Sequence, residues 1–296
     1  MSEPSEYFDE REFGIRAELE TRHYWHLHRR EVVRAELERY LAERARGAEG
    51  PAAPPSSGPG GTDAATRLIE LGCGVGTVAT HLNRHGLWVD YADAFPQALD
   101  IARRRAGITL GAEIARRDFL LRDITQPLPP LPHEGILLLD VLEHLPHDVE
   151  VLRNIRRALA PGAFLFLTVP AFQLLWSPWD EVQKHKRRYT EASLRQALEV
   201  AGFSVQRCTY FFAPLFFAAL GVKGLREARR LAGLRAEPTD RIDRMVEGKH
   251  RGWLGQVVLR VLSLERPGLA RGRLPLGTSL LAVATPREHP ASSPST

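Results

Sequence analysis

Between Thr66 and Phe211 short apolar runs alternate with stretches whose apolar residues recur at helical spacing. "TRLIEL" reads as a strand, "GTVATHLNRHG" as a helix stopped by Gly86, and "LWVDYAD" as a second strand. "PQALDIARRRAG" continues as a helix with Pro96 in its first turn, and "DFLLRDI" as a third, shorter strand. "GILLLDV" is continuously apolar, as a strand covered on both faces must be. The helix "DVEVLRNIRRALAPG", the strand "AFLFLTVP", the helix "TEASLRQALEVAGF" with Thr190 as its cap, and the strand "SVQRCTYF" complete the series. This alternation predicts an α/β fold, a mostly parallel sheet with helices on both faces.

Outside that series the pattern changes. Residues 1–47 favour helix from Ala17 to about Arg46 and form an N-terminal arm or cap. Residues 48–65, rich in Pro, Gly, Ser and Ala, read as a flexible linker. The core is expected over 66–211 and 276–286, the latter holding the isolated strand "TSLLAVATP". Residues 212–275 read as a helical, basic insertion before that strand, and 287–296 as a disordered tail.

Composition narrows the function classes. With 44% hydrophobic residues, the 296-residue chain can bury a sizeable core. A net charge of +4, from interspersed acids and bases, is a weak signal for nucleic acid. Two cysteines, Cys73 and Cys208, build neither a disulfide framework nor a zinc site, and point to a reducing cytoplasm. The acidic N-terminus is unlike a signal peptide, and no apolar run approaches the roughly 20 residues of a membrane span.

The chemistry starts at "LIELGCGVGTVATHL". A glycine loop between strand and helix lets a nucleotide-like ligand approach the bare backbone and the free N–H groups of the helix. Gly72, Gly74 and Gly76 give G-x-G-x-G, not the G-x-G-x-x-G of dinucleotide sites. Glu70, just before the loop, favours a positively charged ligand over a pyrophosphate. Asp93, about 20 residues on at a strand end, suits a ribose; Asp90, inside the same strand, competes with it.

The combination "ELGCGVG…YADAFPQAL…RDI…LLLDVLEHL…LAPGAFLFLTVP" resembles the class I S-adenosylmethionine-dependent methyltransferases over residues 66 to about 211. The resemblance implies a Rossmann-like sheet with an antiparallel last strand. It also implies S-adenosylmethionine as cofactor, held at Glu70, Gly72, Cys73, Gly74, Gly76, Asp93 and Ala94. Asp123 and Ile124 would face the adenine, and Asp140 the sulfonium. Cys73 itself reads as inert. "HYWHLHRREVV", "WSPWDEVQKHKRRYTEASLRQALEVAGF" and "LPLGTSLLAVA" are similar to a bacterial subgroup associated with saccharide, lipid or secondary-metabolite pathways.

A hydroxyl acceptor calls for a base, and His144, four residues after Asp140, is one candidate. His185 is the other; with Tyr189 it would share one face if that stretch were helical. Arg187 and Arg188 beside them are suited to an anionic group on the acceptor. Tyr24, Trp25, Trp176 and Trp179 are expected to line or close the acceptor pocket. No metal is expected: His23, His26 and His28 cluster in sequence but diverge on a helix. The expected partner is a small molecule rather than nucleic acid, for a monomer or homodimer. The competing readings are N- or C-methyl transfer, a nicotinamide-dependent oxidoreductase, and an RNA- or membrane-surface protein using the basic insertion.

Overall fold

Seven strands form one sheet in the computed structural model, which describes residues 13–47, 66–231 and 253–287. They are β1 (Arg67–Leu71), β2 (Trp88–Asp93), β3 (Phe119–Leu121), β4 (Gly135–Leu139), β5 (Phe164–Pro170), β6 (Phe203–Phe211) and β7 (Ser279–Pro286). Their order is β3-β2-β1-β4-β5-β7-β6. The first five pair in parallel, while β7 runs antiparallel to both β5 and β6. The expected Rossmann-like sheet and its antiparallel last strand are therefore present. The direction of winding reverses between β1 and β4, which opens a crevice at the carboxyl ends of these strands.

Strand periodicity divides the core in two. Ile69, Leu71, Ile136, Leu138, Leu165 and Leu167 face one side, where α5 (Asp148–Ala158) and α7 (Glu191–Val200) cover them. Leu68, Leu137, Leu139, Phe164 and Phe166 face the other side, packed against α3 (Thr77–Arg84) and α4 (Pro96–Leu110). Thr190 caps α7 in a reciprocal pair with Ser193, as its position predicts.

The N-terminal arm belongs to this second layer. It is two helices, α1 (Phe13–Arg22) and α2 (Tyr24–Gly47), broken at His23. Val32, Val33 and Leu37 of α2 are buried against the sheet, and Phe13 of α1 packs on Val75 of the glycine loop and on Phe95, at 5.5 Å between rings. Glu31 of α2 faces His81 of α3, with Nε2 3.3 Å from Oε1.

The insertion is helical where it is described: α8 (Ala213–Leu231), α9 (Trp253–Ser263) and α10 (Arg266–Arg271). Glu265, at the start of α10, accepts the N–H of Phe212 at 2.9 Å and of Ala213 at 2.7 Å, and contacts His28 Nε2 at 2.8 Å. One buried carboxylate thus joins the arm, the end of β6 and the insertion. Glu36 of α2 pairs with Arg207 of β6 at 2.9 Å. The expected linker at 48–65, residues 232–252 and the tail from 288 lie outside the described residues, so the basic stretch from Val222 is described only in part. No helix among the described residues is long and apolar enough to cross a membrane.

Candidate active site

The predicted ligand residues follow the carboxyl ends of four neighbouring parallel strands, β1, β2, β3 and β4. Gly72, Gly74 and Gly76 all have positive φ, which side-chain-bearing residues rarely adopt. Two of them are also required by packing. A Cβ at Gly72 would lie 2.7 Å from Val141 Cγ2, and one at Gly76 2.7 Å from Ala102 Cβ. Gly74 differs, because a Cβ there would meet nothing within 4 Å. Its backbone faces open space, as close approach by a ligand requires.

Asp93 closes β2 with both carboxylate oxygens engaged: Oδ2 accepts Gly74 N–H at 2.7 Å and Oδ1 accepts Phe95 N–H at 3.0 Å. Burial raises its pKa, and these N–H groups oppose that rise. Asp93 therefore fixes the glycine loop, and half-buried Ala94 follows it. Asp90, the competitor, is buried in a network with Arg67, His133 and the Asp118 N–H. Glu70 lies beneath the loop, 3% exposed, and accepts Ala79 N–H at 2.8 Å; burial pushes its carboxyl up to about 8. Cys73 is buried, and burial pushes its thiol well up, in keeping with an inert residue. Asp123 turns on Thr125, whose N–H and hydroxyl its Oδ1 accepts at 2.9 and 2.7 Å, while Ile124 offers a buried apolar surface.

Asp140 ends β4 with a φ of 51° and pairs with Arg29 of α2, Nε to Oδ2 at 2.5 Å. Arg29 was not singled out by sequence, since only its place one turn after Trp25 marks it. Its charge also opposes the rise in pKa at both Glu70 and Glu143.

After β4, the turn Leu142–His144 carries Glu143 and His144. The rings of His144 and His185 meet edge to face at 4.8 Å. His185 Nδ1 lies 2.8 Å from Asp180 Oδ1. Burial works against ionisation of Asp180, yet hydrogen bonds from His185 and Arg188 hold its carboxyl below the usual range. Glu143 is fully buried, and burial together with Asp140 raises its pKa well above the ordinary value. Both expected histidines are thus in one place. Glu143 and Asp180 are additions: "DVLEHL" marks the first, whereas Asp180 acts through a loop with no periodic signal.

Other expectations are corrected. The segment from His185 to Tyr189 is not helical, so the two do not share a helix face. Tyr189 is 3% exposed and donates to Asp148 at 2.8 Å, which fixes its hydroxyl in the core; burial first, and then the Asp148 charge, raises its pKa. Arg188 is engaged within the protein: Nε and Nη2 donate to Asp180 at 2.7 and 2.9 Å, and Nη1 to the Ala171 carbonyl at 3.2 Å. Arg187 pairs with Asp148. Trp25 stacks on Phe212 at 5.5 Å and Tyr24 is buried, so both fasten the arm. Trp176 is half-buried, whereas Trp179, on α6 (Pro178–Val182), is exposed. Of the N-terminal histidines, His28 turns away to Glu265, while the His23 ring packs on Tyr24 and His26.

Comparison with known proteins gives a consistent picture. The sequence model of a family described as a methyltransferase domain matches residues 24–207, more than half of the chain. A ubiquinone biosynthesis O-methyltransferase from Xylella fastidiosa (strain M23) is 29% identical over 113 residues, covering 36% of this chain and 45% of that protein. One of the same name from Aeromonas salmonicida (strain A449) is 26% identical over 163 residues, covering 50% of this chain and 68% of the relative. The match thus spans about half the length of the first of these relatives. Among solved structures, magnesium protoporphyrin IX methyltransferase from Synechocystis PCC 6803 with bound SAM aligns with a TM-score of 0.44 and 19% identity. The alignment covers 62% of this chain and 73% of that one.

Proposed function

The chain belongs to the methyltransferase domain family, and from that premise we propose that it methylates a hydroxyl group of a small organic acceptor. The observation that carries this reading is a juxtaposition. A glycine loop latched by Asp93 and a cluster of Glu143, His144 and His185 lie at the carboxyl ends of neighbouring strands.

S-adenosylmethionine, when bound, supplies an electrophilic methyl group on sulfur. The residues fit it. Gly74 leaves room along the backbone, Asp93 and Asp123 offer carboxylate oxygens to a ribose and an adenine amino group, and buried Ile124 gives the base an apolar wall. α1 covers the glycine loop and helps to exclude water. What is left for the protein is to align the acceptor and ease loss of its proton. Aligning falls to the surface around Trp176, which the insertion helps to form, since Phe216 of α8 packs on Phe172 at 5.3 Å between rings. Proton loss falls to the Glu143–His144–His185 cluster. The word O-methyltransferase in the names of the relatives favours oxygen over nitrogen or carbon. The G-x-G-x-G spacing disfavours a nicotinamide cofactor. The two free cysteines accord with a reducing, cytoplasmic setting.

Calorimetry with S-adenosylhomocysteine and with NAD tests the cofactor. Only the former is expected to bind, and Asp93→Ala is expected to weaken it by at least about tenfold, as loss of a buried charged acceptor does. Methyl-labelled S-adenosylmethionine offered with phenols, saccharides and amines then tests the acceptor. Label recovered as an O-methyl group supports the reading; label on nitrogen or carbon alone refutes the choice of oxygen.

A further inference from the structure

We propose that Glu143, His144 and His185 form a binding site for one divalent transition-metal cation of the zinc type, with an open position toward the acceptor. The inference deepens the hydroxyl reading and rests on it for the role of the metal, though not for the binding itself.

Each of the three residues offers one ligand atom, and these atoms lie within 4.8 Å of one another. A tetrahedral cation with bonds of about 2.0–2.2 Å holds its ligands about 3.4 Å apart, so side-chain shifts on the order of 1 Å complete the site. The Glu143 side chain is 1% exposed, yet among the described residues neither of its carboxyl oxygens has a hydrogen-bond partner. Buried carboxylates are normally hydrogen-bonded, paired or bound to metal. Among the described residues, the nearest cationic candidate is His185 Nε2, at 4.0 Å from Oε1.

His185 is oriented as metal-bound imidazoles are. Its Nδ1 side is held by Asp180 at 2.8 Å, which leaves the Nε2 lone pair directed to the cluster; a carboxylate behind the imidazole is the usual support of such a ligand. The two ligand loops are stapled together, because Lys186 N–H donates to the Glu143 carbonyl at 2.7 Å. Charge agrees as well. Asp140 and Asp180 are paired with Arg29 and Arg188, whereas among the described residues neither Glu143 oxygen lies within 4.0 Å of an arginine or lysine.

Two imidazole nitrogens and one carboxylate oxygen suit zinc or a neighbouring first-row ion, and three protein ligands leave a coordination position free. A hydroxyl oxygen bound there holds its proton less tightly, which is the task assigned to this cluster above. The sequence gives no metal spacing, since His185 lies some forty residues beyond His144 and only the fold brings them together.

The test uses the full chain, stripped with a chelator and titrated calorimetrically with Zn2+. Co2+ serves in parallel, its visible absorption reporting coordination. One tight equivalent is expected, and Glu143→Gln and His185→Ala are each expected to weaken it at least about tenfold, as lesser changes around metal sites already do. Both variants are expected to bind S-adenosylhomocysteine like the parent, which shows that they fold. Should one fail that control, His144→Gln makes the same measurement. No saturable Zn2+ in the parent, or variants that bind it as tightly, overturns the proposal. Oxygen methylation that persists in metal-stripped protein binding no Zn2+ sinks the metal alone; metal binding with transfer only to nitrogen or carbon sinks the hydroxyl reading alone.

Discussion

Two glycines of one loop perform different tasks at the residue scale. Gly76 is held by packing, since a methyl there would meet Ala102 and the Tyr91 ring, and its φ is 72°. Gly74 also has positive φ but open space beyond it. Gly76→Ala is expected to cost roughly 1–2 kcal/mol for the left-handed backbone and about 1–3 kcal/mol more for overpacking. Gly74→Ala pays the first cost only, but puts its methyl into the open space proposed for the cofactor. Differential scanning calorimetry should therefore show the larger loss of Tm in Gly76→Ala. Binding of S-adenosylhomocysteine should fall at least about tenfold in Gly74→Ala; parent-like affinity there means that no ligand lies against the loop. These residues were legible in sequence because glycine spacing is local. Asp180 was not, because its hold on His185 and Arg188 runs through a non-helical loop whose geometry no short-range pattern encodes. Tyr189 misled for the same reason: the helical spacing from His185 has meaning only on a helix.

At the scale of elements, strands and helices of the core were readable because short continuous apolar runs alternate there with stretches of helical period. The role of α2 was not readable. Its burial against the sheet comes from Val32, Val33 and Leu37, amid many charges that dilute the pattern. Part of its attachment is electrostatic. The His81 contact and Arg34 hold the Glu31 carboxyl down to about 2, against the opposing effect of burial. A depressed carboxylate adds stability above its unfolded pKa of about 4.5, and that stability disappears as pH falls toward 2. Thermal melts across pH 2–5 should accordingly fall more steeply for the parent than for Glu31→Gln. The two should differ by about 1 kcal/mol at pH 6, the modest value suited to a partly exposed pair. Parallel melting curves would show that Glu31 does not fasten α2 to α3.

Across the whole molecule, Glu265 gathers His28, Phe212 N–H and Ala213 N–H in a buried setting. Glu265→Ala leaves these groups without their acceptor, and a loss of about 3–5 kcal/mol is expected. For a chain of this size that lowers Tm by roughly 10 °C; a melt within 2 °C of the parent would refute the linking role. The antiparallel position of β7 has a further result for how the chain is made. Among the described residues, β7 is the last strand along the chain but sits between β5 and β6, and β6 pairs with no other strand. Translation delivers β1 to β5 with their mutual partners already present, so the crevice half of the sheet can assemble while the rest is still being synthesised. Until residues 279–286 leave the ribosome, β5 keeps a bare hydrogen-bonding edge, open to strands of neighbouring nascent chains. Arrival of one late strand both completes the sheet and ends that hazard.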